Sequence, residues 1–187
     1  LGVTDETQLW LCPARLSPEK GVREFLPRLA GLRGVQVLIA GDGPLRVEIQ
    51  SLLDAATPPL PVRLLGHQSE EAMVELYAAA DIFVLPSLAD ASPLSAVEAA
   101  AAGLPLLMSS RCGNSDELVV ADHNGWIYDV SGGEATQAQL EQIAATPAET
   151  LSAMGTRSRR IYMERFDSDV CVERLAVFLT ELVGRRA

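Results

Sequence analysis

The sequence predicts an α/β fold, a doubly wound parallel sheet of about six strands with a helical carboxyl-terminal tail, and three observations carry that expectation. Short β-branched or Leu-rich runs recur along the chain, each ended by Gly or Pro and followed by a helical stretch. The segments between runs are roughly 15 to 25 residues, long enough for the right-handed crossovers that parallel strands require. The 187 residues are 48% hydrophobic but only 5% aromatic. The core must therefore be built from Leu, Val, Ile and Ala, the usual stock of a sheet covered on both faces.

Taken in order, the expected strands are Gln8 to Cys12, Val35 to Ala40, Val62 to Leu65, Ile82 to Leu85, Leu106 to Ser109 and Trp126 to Tyr128. Pro27 interrupts the first helix, where it removes a backbone donor and kinks or restarts the turn. The unit from Ile82 to Ser110 is the best marked. Its strand ends at Pro86 and Ser87, and a loop leads to Ser92 as N-cap and Pro93 as first helical residue. Ala96 to Ala102 propagate the helix, Gly103 ends it in the left-handed region, and Leu104-Pro105 lead into the next strand. From Glu134 the strand signals stop, and helices are expected over Glu134 to Ala145, Ala148 to Arg165 and Ser168 to Val183. The last carries apolar residues at helical spacing with no strand to follow, so it is expected to pack on a neighbour outside the chain.

The net charge of -10 argues against a nucleic-acid partner, because phosphate binding needs a clustered excess of Lys and Arg. Arg157, Arg159 and Arg160 read as a solvated helix face. Three cysteines, Cys12, Cys112 and Cys171, have neither an even count nor CxxC spacing, so disulfides and a zinc site are not expected. No apolar run approaches the roughly 18 residues of a membrane span, and no signal peptide opens the chain. A cytoplasmic location is expected. The chain begins at Leu1 rather than Met, which suggests a domain of something longer.

In open α/β sheets ligands sit beyond the carboxyl ends of the strands, so the loops that follow strands are where chemistry is sought. The first of them holds Arg15 and Lys20, two cations that suit a diphosphate or serve as ordinary surface charges. The second, Gly41-Asp42-Gly43-Pro44, permits close backbone approach to a ligand, or is a strand-to-helix turn with none. GxGxxG is missing, so a dinucleotide motif is not supported. The fourth loop places Asp90 before a helix and Glu98 about two turns inside it. Backbone N–H groups at Ser92 to Ser95 would form an anion site, Asp90 would face a sugar hydroxyl, and Glu98, buried in an Ala-rich helix, would accept both hydroxyls of a ribose. The alternative for Glu98 is a partly exposed helix residue. His67 and His123 are isolated, so no metal site is expected, and GxSxG is missing, so neither is a hydrolase triad. Trp10 and Trp126 are expected in the core.

Together these loops resemble one family, the retaining glycosyltransferases of GT-B fold called family 4. Ala14-Arg15-Leu16 to Lys20-Gly21 is similar to its G-R-L...K-G motif, and Gly41-Asp42-Gly43-Pro44-Leu45 to its Gly-rich turn. Val62 to Gly66 resembles its V-x-F-x-G strand, and Tyr77 to Ser87 its L-Y-x-x-A-D-x-F-V-x-P-S segment. Asp90 and Glu98 fall on its E-x7-E pair, followed by E-A-x-A-x-G-x-P at Glu98 to Pro105. Three positions depart from the pattern. Asp90 replaces a Glu and is shorter by about 1.5 Å. Ala91-Ser92-Pro93-Leu94 replaces Gly-Phe-Gly-Leu, and Gly113-Asn114-Ser115-Asp116-Glu117 replaces Gly-Gly-x-x-Glu.

The resemblance implies the second of two Rossmann-like domains, with residues 1–165 binding a nucleotide sugar and 166–187 forming a helix that packs on the absent amino-terminal domain. It implies Arg15, Lys20, Asp90 and Glu98 as the catalytic set, and Gly41, Gly66, His67, Gln68, Ser92, Pro93, Leu94, Ser95 and Glu98 as donor contacts, His67 and Gln68 beside the nucleobase. Arg15, Lys20 and the helix amides would stabilise the departing diphosphate, with no metal and no cofactor beyond the nucleotide-diphosphate sugar. The acceptor, a glycan or lipid-linked sugar, would be held through the absent domain. The chain alone would then be inactive, and the full enzyme has room for peripheral attachment to the inner membrane face. Two other readings are a sugar-nucleotide epimerase of GT-B-like fold and a non-catalytic relic.

Overall fold

The computed structural model describes residues 7–130 and 132–184. Six strands, β1 (Gln8–Pro13), β2 (Val35–Ala40), β3 (Val62–Gly66), β4 (Ile82–Leu85), β5 (Leu106–Ser109) and β6 (Gly125–Tyr128), form one parallel sheet in the order β3-β2-β1-β4-β5-β6. This is the doubly wound, Rossmann-like arrangement, and its order reverses between β1 and β4. Every residue of β4 and β5 is buried, as continuous apolar runs in the middle of a covered sheet must be.

Helices cover both faces: α1 (Val22–Phe25), α2 (Arg46–Ala55), α3 (Glu70–Ala79), α4 (Leu94–Ala102), α5 (Ser115–Leu118), α6 (Gly133–Ala144), α7 (Ala148–Arg165) and α8 (Ser168–Gly184). The strand period of two sends alternate side chains to opposite cores. Trp10, Val37, Ile39, Val84, Leu107 and Tyr128 pack with Phe25, Leu26 and Leu29, with Ile49 of α2 and with Leu140 of α6. Leu11, Leu38, Phe83, Leu85, Leu106 and Met108 pack with Tyr77 of α3, with Ala96, Ala99 and Ala100 of α4 and with Leu118 of α5. Small alanines let α4 lie close to the sheet. Trp10 is fully buried, whereas Trp126 is only partly so, packed against the first core.

Each expected strand is present, β1, β3 and β6 gaining one residue at an end. Pro27 does break the first helix. The α-turn closes at Phe25, and Leu26–Leu29 continue as a 3-10 turn with Pro27 near its start. The start of α4 differs from expectation. Pro93, with ψ 115, is the N-cap and Leu94 the first helical residue, so Ser92 lies outside. The Pro93 carbonyl accepts from Ala96 N and from the Asn114 side chain, which fixes the proline in extended backbone. Gly103 ends α4 at φ 81 as expected.

The tail is helical. α6 and α7 dock on the body through Leu140, Ile143, Leu151, Met154 and Ile161. α8 does not: Val172, Leu175, Val177, Phe178, Leu179 and Leu182 are 42% to 66% exposed. It leans on α7 through Arg174, whose guanidinium donates to the Glu164 and Arg165 carbonyls. Arg159 and Arg160 are solvated as expected, but Arg157 is half-buried and donates to the His123 carbonyl at 2.7 Å. Among the described residues no helix is long and apolar enough to cross a membrane.

Candidate functional site

The strand order reverses between β1 and β4, the place where open α/β sheets hold their ligands, and the loops leaving β1, β4 and β5 are laced together at the carboxyl ends of these strands. Gly21 has φ 65, and a Cβ on it would run into the Pro86 carbonyl, so only glycine lets the first loop lie on the fourth strand's exit. The Glu19 carbonyl then accepts from the amides of Leu88 and Ala89 at 2.8 and 3.2 Å. The Asp90 amide donates to the Arg111 carbonyl at 3.4 Å, and the Gly113 amide donates to the Asp90 carbonyl at 2.8 Å.

Across this frame Lys20 Nζ meets Asp90 Oδ2 at 2.5 Å, with side chains 26% and 13% exposed. Two residues 70 apart in sequence thus form one partly buried ion pair at the switch point. Arg15, in the same loop as Lys20, is exposed.

Gly41 and Gly66 serve the frame. The Gly41 amide donates to the Gly66 carbonyl at 2.8 Å, and a Cβ at Gly41 would collide with the Ala14 carbonyl. Close approach is required at Gly41, and the backbone approached is that of the Arg15 loop. Arg46 of α2, which the sequence reading overlooked, crosses beside Gly66 and reaches Asp42 Oδ2 at 3.4 Å.

Glu98 corrects one expectation and meets another. It is exposed rather than buried, because α4 turns its alanines to the sheet and Glu98 toward α3. There the Tyr77 hydroxyl donates to Glu98 Oε2 at 2.9 Å. Burial, and then the Glu98 carboxylate, push the Tyr77 phenol well above its ordinary pKa, which keeps it a neutral donor. The pair stands at one end of a cavity of about 680 Å3 between α3 and α4, walled by Gln68, Met73, Val74 and Ala101 and with Glu70 at its edge. Gln68 lines it, its amide tied to the Leu65 and His67 carbonyls at 2.9 and 3.1 Å, while His67 is exposed beside it. Tyr77, Met73 and Glu70 were missed as site residues because nothing in their local sequence reports the groove between two helices.

The expected anion site at Ser92 to Ser95 contracts. Pro93 has no N–H and is buried, and Ser92 lies before the helix, leaving the amides of Leu94 and Ser95 ahead of the first intrahelical bond, which Ala96 donates. Asn114 braces this start.

Beneath the ion pair lie Cys12 and Cys112. Burial raises the Cys12 thiol from 9.0 to about 12, with Lys20 opposing. Burial, with the Asp90 carboxylate adding to it, raises Cys112 to about 11. Both are neutral thiols at ordinary pH and poor nucleophiles. Among the described residues no group of three His, Cys, Asp or Glu side chains is arranged to hold a metal ion. What the site offers is cationic charge at a sheet switch point, two helix amides, and a mostly apolar groove with a hydrogen-bonded carboxylate. Those elements suit a ligand with an anionic middle and a ring at one end.

The family described as glycosyl transferases, group 1, matches residues 1–161. The GDP-mannose-dependent alpha-mannosyltransferase of Mycolicibacterium smegmatis is 32% identical over 174 residues, covering 92% of this chain and 43% of that protein. An uncharacterized glycosyltransferase of Methanocaldococcus jannaschii is 30% identical over 132 residues, 68% of this chain and 34% of its own length. Among solved structures, the Anabaena HepE complex with UDP-glucose superposes with a TM-score of 0.78 at 22% identity, over 94% of this chain and 49% of that one. Sucrose-phosphate synthase of Thermosynechococcus elongatus reaches 0.83 at 20% identity, over 98% of this chain and 47% of that one. The chain spans under half the length of each of these proteins.

Proposed function

The chain belongs to the glycosyl transferases, group 1, and we propose that it is the donor-binding half of a retaining, family 4 transferase that moves a hexose from a nucleotide-diphosphate sugar to an acceptor hydroxyl. The observation that carries this reading is the Lys20–Asp90 pair at the switch point, with Arg15 in the same loop as Lys20 and the Glu98–Tyr77 groove on the helix that follows Asp90. The mannosyltransferase relative uses GDP-mannose and HepE binds UDP-glucose, which supports a nucleoside diphosphate hexose as donor class.

In this reading the diphosphate lies over Lys20, Arg15 and the Leu94 and Ser95 amides. The ribose hydroxyls donate to Glu98, and the base enters the groove past Gln68. As the diphosphate takes Lys20, Asp90 is released to accept from a hydroxyl of the donor sugar. The bond from the anomeric carbon to the phosphate oxygen breaks, and its electron pair passes to the diphosphate. The acceptor oxygen forms the new bond on the same face of the carbon, and its proton passes to the leaving phosphate. Fixed positive charge that meets the developing negative charge lowers the barrier without reorganisation. The acceptor side belongs to the remainder of a longer protein, so the chain alone binds donor and transfers nothing.

Calorimetry on the chain with UDP, GDP and ADP tests the reading. At least one should bind, and Arg15→Ala should weaken the diphosphate by about 1.5 to 3 kcal/mol while leaving the matching nucleoside unchanged, the value of a hydrogen bond to a charged group. If none of the three nucleotides binds, the chain is a relic. Equal losses for nucleoside and diphosphate would make the Arg15 loop structural.

A further inference from the structure

The groups that line the α3–α4 groove decide which base it favours. Its lining residues include neither Lys nor Arg, and four of them carry polar side-chain groups: Gln68, Glu70, Tyr77 and Glu98. Both N–H bonds of the Gln68 amide are taken, by the Leu65 and His67 carbonyls at 2.9 and 3.1 Å, so Gln68 has only its Oε1 to offer. The Tyr77 hydroxyl has a single proton, shared between Glu98 Oε2 at 2.9 Å and the Ser95 carbonyl at 3.3 Å. Glu70 and Glu98 are carboxylates, which accept and do not donate. The edge of a ring that enters this groove therefore meets side-chain acceptors and no free side-chain donor.

The two carboxylates differ in what they can hold. Glu98 has one oxygen occupied by Tyr77. Glu70, in the first turn of α3, is exposed, and among the described residues its carboxylate has no hydrogen-bond or ion-pair partner. Both of its oxygens are open to two adjacent N–H groups, the bidentate arrangement that makes the stronger charge-assisted bonds. The common bases differ on that point. Guanine presents N1–H and an N2–H side by side, so each oxygen of Glu70 receives a proton. Uracil presents N3–H between two carbonyls, so one oxygen is bonded while the other faces a carbonyl. Adenine presents an amino N–H beside the N1 lone pair and meets the same conflict. Acceptor set against acceptor forfeits a bond and adds repulsion, which rejects the wrong base as well as rewarding the right one. Met73 and Val74, on the same helix as Glu70, supply apolar surface for the face of the ring.

We propose that Glu70 is the base-specificity residue of this domain and selects guanine, so that the donor is a guanosine diphosphate sugar. Guanine selection rests on the donor-binding reading above and adds to it the identity of the base.

Titration calorimetry of the whole chain with GDP, inosine diphosphate (IDP), UDP and ADP tests it. IDP is the sharpest comparison, because hypoxanthine keeps N1–H and O6 and lacks only the 2-amino group. GDP should bind about tenfold or more tightly than UDP or ADP, and about fivefold or more tightly than IDP, the scale of one N–H donated to a charged acceptor. Glu70→Gln replaces one acceptor by a donor at an exposed position, so the core is untouched. In that variant the preference for GDP over IDP should fall below about twofold, and the preference for GDP over UDP should fall at least about fivefold. Ratios between nucleotides cancel the general gain that any anion makes when a carboxylate is neutralised. Glu98→Ala should weaken GDP and UDP alike and keep their ratio, because the ribose is common to both. Equal binding of GDP and UDP, a preference for UDP or ADP, no difference between GDP and IDP, or a GDP preference that survives Glu70→Gln would each overturn guanine selection by Glu70 while leaving the donor reading in place. If none of the four nucleotides binds, the donor reading itself has failed, and guanine selection fails with it.

Discussion

Lys20 and Asp90 neutralise each other, and under the proposed function that gives the Asp-for-Glu departure a consequence. The Lys20–Asp90 contact is a partly buried pair, so in the proposed donor reading a diphosphate would have to compete with Asp90 for the ammonium. Asp90→Asn should therefore bind free nucleoside diphosphate tighter by up to about 1 kcal/mol, the scale of a part-screened ion pair. Calorimetry measures this directly. Weaker binding would instead mean that Asp90 holds Lys20 in place for the phosphate. Glu98 carries the second residue-scale prediction: Glu98→Ala should cost about 1 to 3 kcal/mol of nucleotide affinity, as a charged acceptor for the ribose is lost. Tyr77→Phe separates the two roles of that carboxylate, because it removes only the phenol's donor. Unchanged affinity in Glu98→Ala would sink the ribose assignment. The sequence singled out Lys20, Asp90 and Glu98 through motif spacing, yet it paired none of them. The partners, Asp90 for Lys20 and Tyr77 for Glu98, sit 70 and 21 residues away, joined by sheet order rather than by local pattern.

At the scale of elements, the strands were legible because each is an apolar run closed by Gly or Pro, and burial on both faces leaves no polar alternation to blur it. The start of α4 was misplaced by one residue for a reason that lies outside α4. A proline after a serine reads as a first helical residue, but the Asn114 side chain, from the next loop, holds the Pro93 carbonyl outside the helix. Loop packing is likewise set by contacts between elements, and Gly21 is where it is most exposed to test. At φ 65, against the Pro86 carbonyl, a methyl group has nowhere to go. Gly21→Ala should lose about 1 to 3 kcal/mol in denaturant unfolding, from left-handed strain and the forced separation of the β1 and β4 loops. Because those loops carry Lys20 and Asp90, nucleotide affinity should fall as well. A variant as stable as the parent would show that the two loops can part at little cost.

For the whole molecule, the strand order puts the switch point between β1 and β4, and nothing in a one-dimensional pattern states that order. Resemblance to a family implied a Rossmann-like domain without stating that order, and a cavity lined by Glu24, Arg28, Arg111 and Asp129, which draws on four separate segments, left no trace in any motif. The tail presents the remaining question of scale. α6 and α7 bury Leu140, Ile143, Leu151, Met154 and Ile161, while Val172, Leu175, Val177, Phe178, Leu179 and Leu182 of α8 stay more than 40% exposed. We propose accordingly that α8 is meant for another part of a longer protein; residues 185–187 of the expected 166–187 span lie outside the described residues. Ending the chain after Asp167 should remove little burial, so the melting temperature should move by less than about 4 °C, the shift that 1 kcal/mol produces in a domain of this size. Nucleotide affinity should be retained, and binding of a hydrophobic dye should fall as the exposed Val172, Leu175 and Phe178 are lost. A much larger drop in melting temperature would place α8 in the domain core and move the boundary past residue 165, since only buried apolar surface can account for such a loss.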